Sequence, residues 1–389
     1  MKPFKKFLLF LIFNLFYSPI LSAVNIDWSG WTRLDSYYQH ENSYYGEIHF
    51  VLNSNIFVTD NLSFKSRIDL FPLFKQKNWL ENFDFLEKAY RQTGYVFLYQ
   101  EEGKKRQSDF PLAFIIPSQF YADYEEEFFK IRLGRAPYHF GLGTTYSASN
   151  NPFEHWMSLY NQLSVHLEYN SFYLQPSLLH DVRPSLKGEV FLALQTGLSQ
   201  KNWKISALYQ HHFKKDDFLE FFGHYKDSNW DLKTSASYLF KTGLHFSLAL
   251  EGKMSLATPI PIILELKTGG LSGDIVFHPN YDLALIFWNR FIDEKQSLDK
   301  YPYKIATAQV KEGLYFSPRL IFSFLDGNWQ VEPLFLLAGS LQDKKLSYEW
   351  DLNTRYQWDE NLFFSLTAGA LYSSKKLYLS LMAQTAASF

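Results

Sequence analysis

Residues 346–357 read Leu-Ser-Tyr-Glu-Trp-Asp-Leu-Asn-Thr-Arg-Tyr-Gln. Taken alternately, Leu346, Tyr348, Trp350, Leu352, Thr354 and Tyr356 fall on one side, and Ser347, Glu349, Asp351, Asn353, Arg355 and Gln357 on the other. Side chains alternate across an extended strand, so this segment is a strand lying between an apolar medium and water. The same period recurs in Leu62, Phe64, Ser66, Ile68 and Leu70 against Ser63, Lys65, Arg67 and Asp69, and in Ile48, Phe50 and Leu52 against Glu47, His49 and Asn53. A soluble sandwich alternates too, with its rings turned into a core, so period alone does not separate it from a membrane barrel.

Composition narrows the choice. The 389 residues include 10 Trp, 26 Tyr and 38 Phe, yet the mean hydropathy is only -0.22. So many rings in a chain that is not hydrophobic overall call for surfaces on which polar and apolar neighbours alternate. The 38 Lys+Arg against 40 Asp+Glu give no basic domain for nucleic acid. The absence of cysteine removes disulfide frameworks, Cys-ligated zinc, Fe–S clusters and thiol catalysis.

At the N-terminus, Lys2, Lys5 and Lys6 precede an apolar run from Phe7 to Phe16, followed by Pro19, Ser22 and Ala23. This reads as a secretory signal peptide over residues 1–23, cleaved after Ala23. Its three lysines take the formal net charge from -2 to -5 when they leave. Beyond it no apolar run approaches the ~20 residues of a spanning helix. An exported chain of this kind is periplasmic, secreted or a membrane barrel.

Three features select the barrel. The strands approach the ~9–11 residues that cross a bilayer at a tilt, rather than the ~5–6 of soluble sheets. Tight polar turns at 59–61, 199–202, 227–229, 326–328 and 359–361 alternate with generally longer connections, as short turns and long loops do on the two sides of an outer membrane. Finally, Leu377, Leu379, Leu381, Ala383, Thr385, Ala387 and Phe389 share one face of the last segment. That segment resembles the C-terminal strand of bacterial outer-membrane β-barrels, a resemblance that makes Phe389 part of the signal read by the barrel-assembly machinery.

With the turns as fixed points, twenty strand candidates emerge, the weakest at 112–122, interrupted by Pro117, and across 260–278, where a Gly269-Gly270 turn separates 260–267 from 273–278. The expected architecture is all-β: a transmembrane antiparallel up-and-down barrel of 18–20 strands, with 16 allowed, in one domain over 24–389. An even count puts both termini in the periplasm. Trp203, Trp230 and Trp329 each follow a tight turn and Trp358 precedes one, which suits an aromatic girdle at the headgroups of outer-membrane lipid.

Residues 131–143, Ile-Arg-Leu-Gly-Arg-Ala-Pro-Tyr-His-Phe-Gly-Leu-Gly, resemble the strand-to-loop corner of several porin-like outer-membrane families. Alternation puts Arg135 beside Leu133 on the lipid side, so a bulge at Gly134 is expected to turn it inward. The loop from Thr144 to Tyr160 carries a proline and bulky rings and could fold inward to narrow a pore. The pore-lining and constriction candidates are therefore Arg33, Lys65, Arg67, Lys130, Arg132, Arg135, Glu154, His155, Arg290, Arg319, Arg355, Glu349 and Asp351. At each, the alternative is a cross-strand ion pair that merely satisfies the interior.

The expected function is passive diffusion of small hydrophilic solutes, with weak ion selectivity because both signs line the wall. No Ser-centred elbow or His-Glu-x-x-His run supports an enzyme, no catalytic or metal ligand set is legible, and no cofactor is expected. The alternative is a non-conducting barrel whose extracellular loops, such as Phe74 to Tyr90 and Asp293 to Tyr303, bind a partner or surface polysaccharide. A homo-oligomer is compatible with either reading.

Overall fold

A computed structural model describes residues 25–39, 43–72, 113–148, 158–181, 189–213, 216–256, 258–273, 281, 284, 313–340, 345–373 and 375–389. Over these residues the chain forms one antiparallel sheet of 18 strands. The first nine are β1 (Asn25–Gln39), β2 (Ser43–Phe57), β3 (Leu62–Pro72), β4 (Ala113–Glu125), β5 (Phe129–Pro137), β6 (Leu159–Tyr169), β7 (Phe172–His180), β8 (Val190–Ser199) and β9 (Trp203–His212). The second nine are β10 (Phe218–Lys226), β11 (Trp230–Leu239), β12 (Phe246–Leu256), β13 (Ile262–Leu271), β14 (Gly313–Phe324), β15 (Trp329–Ser340), β16 (Lys345–Gln357), β17 (Leu362–Ser373) and β18 (Lys376–Ser388). Arg33 of β1 pairs with His49 of β2 on one side and with Ala386 of β18 on the other, so the sheet closes on itself and keeps no edge.

The count corrects the sequence trace, because neither 20 strands nor 16 close this barrel. The excess came from Gly269-Gly270, read as a turn. Both glycines lie inside β13, Gly269 opposite Tyr315 and Gly270 opposite Leu314. A Cβ at Gly269 would stand 2.0 Å from the Leu248 carbonyl oxygen and 2.7 Å from the Tyr315 hydroxyl. The glycine pair thus serves close approach between strands rather than chain reversal. β13 pairs directly with β14, so no strand stands between them in the sheet, and the candidates at 273–278 and 281–291 lie almost entirely outside the described residues.

The two faces of β16 separate as their period requires. Trp350 is 61% exposed and Leu346, Tyr348 and Leu352 stand out with it, whereas Glu349 is 0% exposed and Ser347 and Asp351 are buried. Alternation of this kind around the barrel puts the large apolar side chains outside and the polar ones on the inner wall.

The ends of the barrel also differ. Connections 58–61, 126–128, 170–171, 200–202, 227–229, 257–261, 325–328 and 358–361 lie at one end with the start of β1 and the end of β18, and the connections between strands at the opposite end are generally longer, although 40–42 and 374–375 are short. The short turns share a local device. Asp227 Oδ1 accepts the backbone N–H of Asn229 and Trp230 at 2.8 Å each, and Asp359 Oδ1 does the same for Asn361 and Leu362. These donors, Asn229 first, hold the exposed Asp227 carboxyl below the usual carboxylate range. Trp203, Trp230, Trp329 and Trp358 all sit at this end on the outward parity, and Trp329 Nε1 donates to Thr354 Oγ1 at 2.8 Å.

The closing seam is built around Gly30. Its N–H donates to the Phe389 carbonyl at 3.0 Å and its carbonyl accepts from Phe389 N at 3.0 Å, while the Phe389 ring stacks on Phe50 at 5.7 Å. A Cβ on Gly30 would lie 2.3 Å from the Val51 carbonyl oxygen and 2.5 Å from that ring. Gly30→Val is therefore expected to lower the folded yield several-fold, read as loss of the compact band in unboiled gel samples. Undiminished yield would show that the ring does not need the slot.

Candidate lumen and its inner wall

Near the short-turn end, inward residues of β3, β4 and β5 form one ion cluster. Asp123 receives a fork from Arg132, with Nε to Oδ1 at 2.8 Å and Nη2 to Oδ2 at 2.9 Å. Lys65 Nζ donates to Asp123 at 3.2 Å; Lys130 Nζ stands 3.4 Å from Asp123 and 2.8 Å from Glu125. The Arg132 guanidinium also lies 4.6 Å from the Tyr121 ring centroid. Across the barrel, Glu265 meets Lys253 at 3.0 Å and Arg319 at 3.7 Å, and Glu332 meets Arg319 at 3.6 Å and Arg355 at 4.0 Å. Asn353 Nδ2 completes this cluster by donating to Glu332 at 3.1 Å.

Burial sorts the charges. The Asp123 side chain is 3% exposed, while Lys65 and Lys130 around it are 33% and 29% exposed. Glu265 and Glu332 are likewise buried behind part-exposed Lys253, Arg319 and Arg355. Around Asp123, Glu265 and Glu332 the cations thus stand forward of the carboxylates, although Glu125 beside Lys130 is itself exposed.

Midway along β1–β3 the charges are structural. Arg33 Nε donates to Asp35 at 2.6 Å, and Gln384 Nε2 donates to the same carboxylate at 3.0 Å. Asp69 takes Arg67 Nη2 at 2.8 Å, His49 Nε2 at 2.7 Å and the Ser118 hydroxyl. Trp31 lies edge-on to His49 at 4.6 Å, with Arg33 and Arg67 at 5.5 and 5.8 Å from its ring. Arg33, Arg67, His49 and Asp69 are all buried. The Ser118 hydroxyl is directed at Asp69, not at His49, so this grouping is no nucleophile and base.

Ser118 marks a second correction. The β3–β4 register shifts between Arg67 and Ile68, which pair with Gln119 and Pro117 and leave Ser118 as the extra residue. The bulge is therefore in β4 and not at Gly134, whose pairing with Tyr121 and Gln162 is continuous. Arg135 stays on the outward parity opposite Phe120 and Asn161, and its Nε donates to the Ser118 carbonyl at 3.1 Å, where the bulge interrupts the ladder. Gly134 instead has φ 130 and passes so close to β4 that a Cβ would meet the Phe120 carbonyl oxygen at 2.5 Å.

Residues 138–148, which leave β5, lie against the inner wall of β6 to β11. Tyr138 and Phe140 pack with Tyr160, Leu179, Phe191, Leu208 and Phe222. Gln195 Nε2 donates to the His139 carbonyl at 3.3 Å, Tyr146 to Gln210 Oε1 at 2.6 Å and Thr144 to Glu220 Oε1 at 3.0 Å. These partners alternate with outward Leu192, Leu194, Tyr209 and Phe221, which places the segment inside the barrel. Farther round, Tyr281 is buried with its hydroxyl 3.1 Å from that of inward Tyr315, and Lys267 Nζ stands 5.2 Å from its ring.

Of the sequence candidates, Lys65, Lys130, Arg132, Arg319 and Arg355 reach the wall partly exposed, whereas Arg33, Arg67, Glu349 and Asp351 are buried. Glu154, His155 and Arg290, with the loop segments 74–90 and 293–303, lie outside the described residues. Asp123 lies one residue past the expected end of its strand at 122, and its alternation with Tyr121 is the signal that extends β4 to include it. Lys253 escaped because its strand candidate stops at 252, and its partner Glu265, inside candidate 260–267, carries no local mark that sets it apart.

No protein-family model matches the chain, and no curated protein matches it in sequence. Solved structures match it over nearly its whole length. OccK8 (OprE) of Pseudomonas aeruginosa superposes with a TM-score of 0.61 at 11% identity, covering 95% of this chain and 98% of its own. OprD of the same organism gives 0.62 at 7%, covering 94% and 95%, and its OpdK, in a structure with vanillate, gives 0.61 at 8%, covering 94% and 98%. The fold is that of a porin-like outer-membrane β-barrel. Identities this low carry the fold and leave the solute to be argued from the wall.

Proposed function

We propose that this chain, exported through a signal peptide over residues 1–23, sits in the bacterial outer membrane as a passive, water-filled channel for small hydrophilic solutes and favours anionic ones. The observation that carries the reading is the two-sided wall: large apolar side chains outward, part-exposed cations inward before buried carboxylates. The likeness to OccK8, OprD and OpdK supports the location. In this reading the short-turn end and both termini face the periplasm, the four tryptophans lie at the headgroups, and Phe389 is read during assembly. The loop that begins with residues 138–148 narrows the bore. The forward cations refine the weak selectivity expected from composition into a preference for anions, whose hydration they replace.

Liposome swelling tests this. Vesicles carrying the purified barrel should swell in small sugars at rates that fall with solute size, and faster in carboxylate solutes than in amines of the same size. Equal rates for the two charges would remove the anion preference, and no swelling in any solute would remove the channel.

A further inference from the structure

We propose that Glu220 is the positioning residue of the inward segment, fixing through the Thr144 hydroxyl how far residues 138–148 stand off the wall and so setting the bore. The proposal rests on the channel reading above and names the group that controls it. Glu220 is 0% exposed on the inward face of β10. Its Oε1 accepts Thr144 Oγ1 at 3.0 Å from the segment and Ser235 Oγ at 2.5 Å from β11, and the two hydroxyl oxygens are 3.4 Å apart.

The identity of the residue matters. Inward positions around it on β8, β9 and β11 are Gln195, Ser206, Gln210, Ser235 and Ser237, all neutral and all buried. A buried carboxyl costs more to desolvate than an amide or hydroxyl, and hydroxyl partners recover only part of that cost. A glutamate here is thus an expensive choice for wall packing alone, and it sits where the segment makes its polar contact with β10.

Apolar packing does not supply the same control. The contacts of Tyr138 and Phe140 with Leu208 and Phe222 are non-directional and tolerate sliding. The bonds from Thr144, Ser235 and the neighbouring Thr145 hydroxyl to Glu220 have direction and one register. Gly141 and Gly143, at φ 57 and 73, make the reversal that delivers Thr144 to it. Gly141 lies against Phe222, where a Cβ would already be 3.1 Å from that side chain.

Single-channel recording in planar bilayers, with folding checked by gel mobility, tests the assignment. Glu220→Ala should fold, conduct at least 1.5-fold more than the native chain and show larger open-channel noise, while Glu220→Gln, which keeps an acceptor oxygen but not the carboxylate, should fall between the two. Thr144→Val alters the segment instead of the wall, and its effect should not add to that of Glu220→Ala. Because the chain has no cysteine, Thr144→Cys with Ser235→Cys can be oxidised in the Glu220→Ala background, which should return the native conductance until the pair is reduced. A folded Glu220→Ala with native conductance and noise would overturn the proposal, as would additive effects of the two single variants. Should the native chain not conduct at all, the channel reading fails separately. Hydrogen exchange of residues 138–148 then decides, with faster exchange in Glu220→Ala supporting the anchor and unchanged exchange refuting it.

Discussion

Asp69→Ala is expected to destabilise the barrel by about 3–5 kcal/mol, the usual cost of removing one partner from a buried charge cluster. Asp69 accepts Arg67, His49 and Ser118 from three strands, and its side chain is fully buried. Truncation leaves the Arg67 guanidinium in the interior without this carboxylate, and water replaces it poorly there. Asp69→Asn keeps the size and an acceptor and should lose less. The readout is the temperature at which the compact gel band converts to the unfolded one. Because the cluster lies away from the part-exposed cations, conductance of the surviving folded fraction should stay native. An unchanged conversion temperature would show that the cluster does not hold β1 to β4 together.

Charge reversal at the short-turn end is expected to invert the ion preference. Lys65, Lys130 and Arg132 stand forward of Asp123, and a unit charge about 4 Å from a passing ion in water is worth about 1 kcal/mol, roughly a fivefold change in local occupancy. With all three replaced by glutamate, the reversal potential in a salt gradient should change sign from anion-favouring to cation-favouring. The effect should shrink in concentrated salt as screening shortens its reach. A potential unmoved by the triple replacement would place the selective point elsewhere on the wall.

What could be read from the chain follows from which interactions are local. Two-residue alternation in 346–357 reports the medium on each side of a strand, and the short turns carry their own chemistry in residues such as Asp227 and Asp359. Both are properties of a few neighbouring residues. Gly269-Gly270 misled because a glycine pair serves turn and close approach equally, and only Tyr315, far along the chain, distinguishes them. The bulge was sought at Gly134 for a similar reason: Ser118 becomes the extra residue only when β3 is laid against β4. The sorting of charges was not legible at all. Composition counts Asp123 and Lys65 as equal and opposite, and burial, set by three strands together, gives the solvent to the lysine.

The central claim is a water-filled bore, and single-channel recording of the purified full chain in planar bilayers tests it most directly, with the protein intact and with residues 144–157, up to the start of β6, deleted. A steady open conductance from the intact barrel, larger after the deletion, is the predicted result. A folded, detergent-solubilised barrel that conducts in neither form would contradict it.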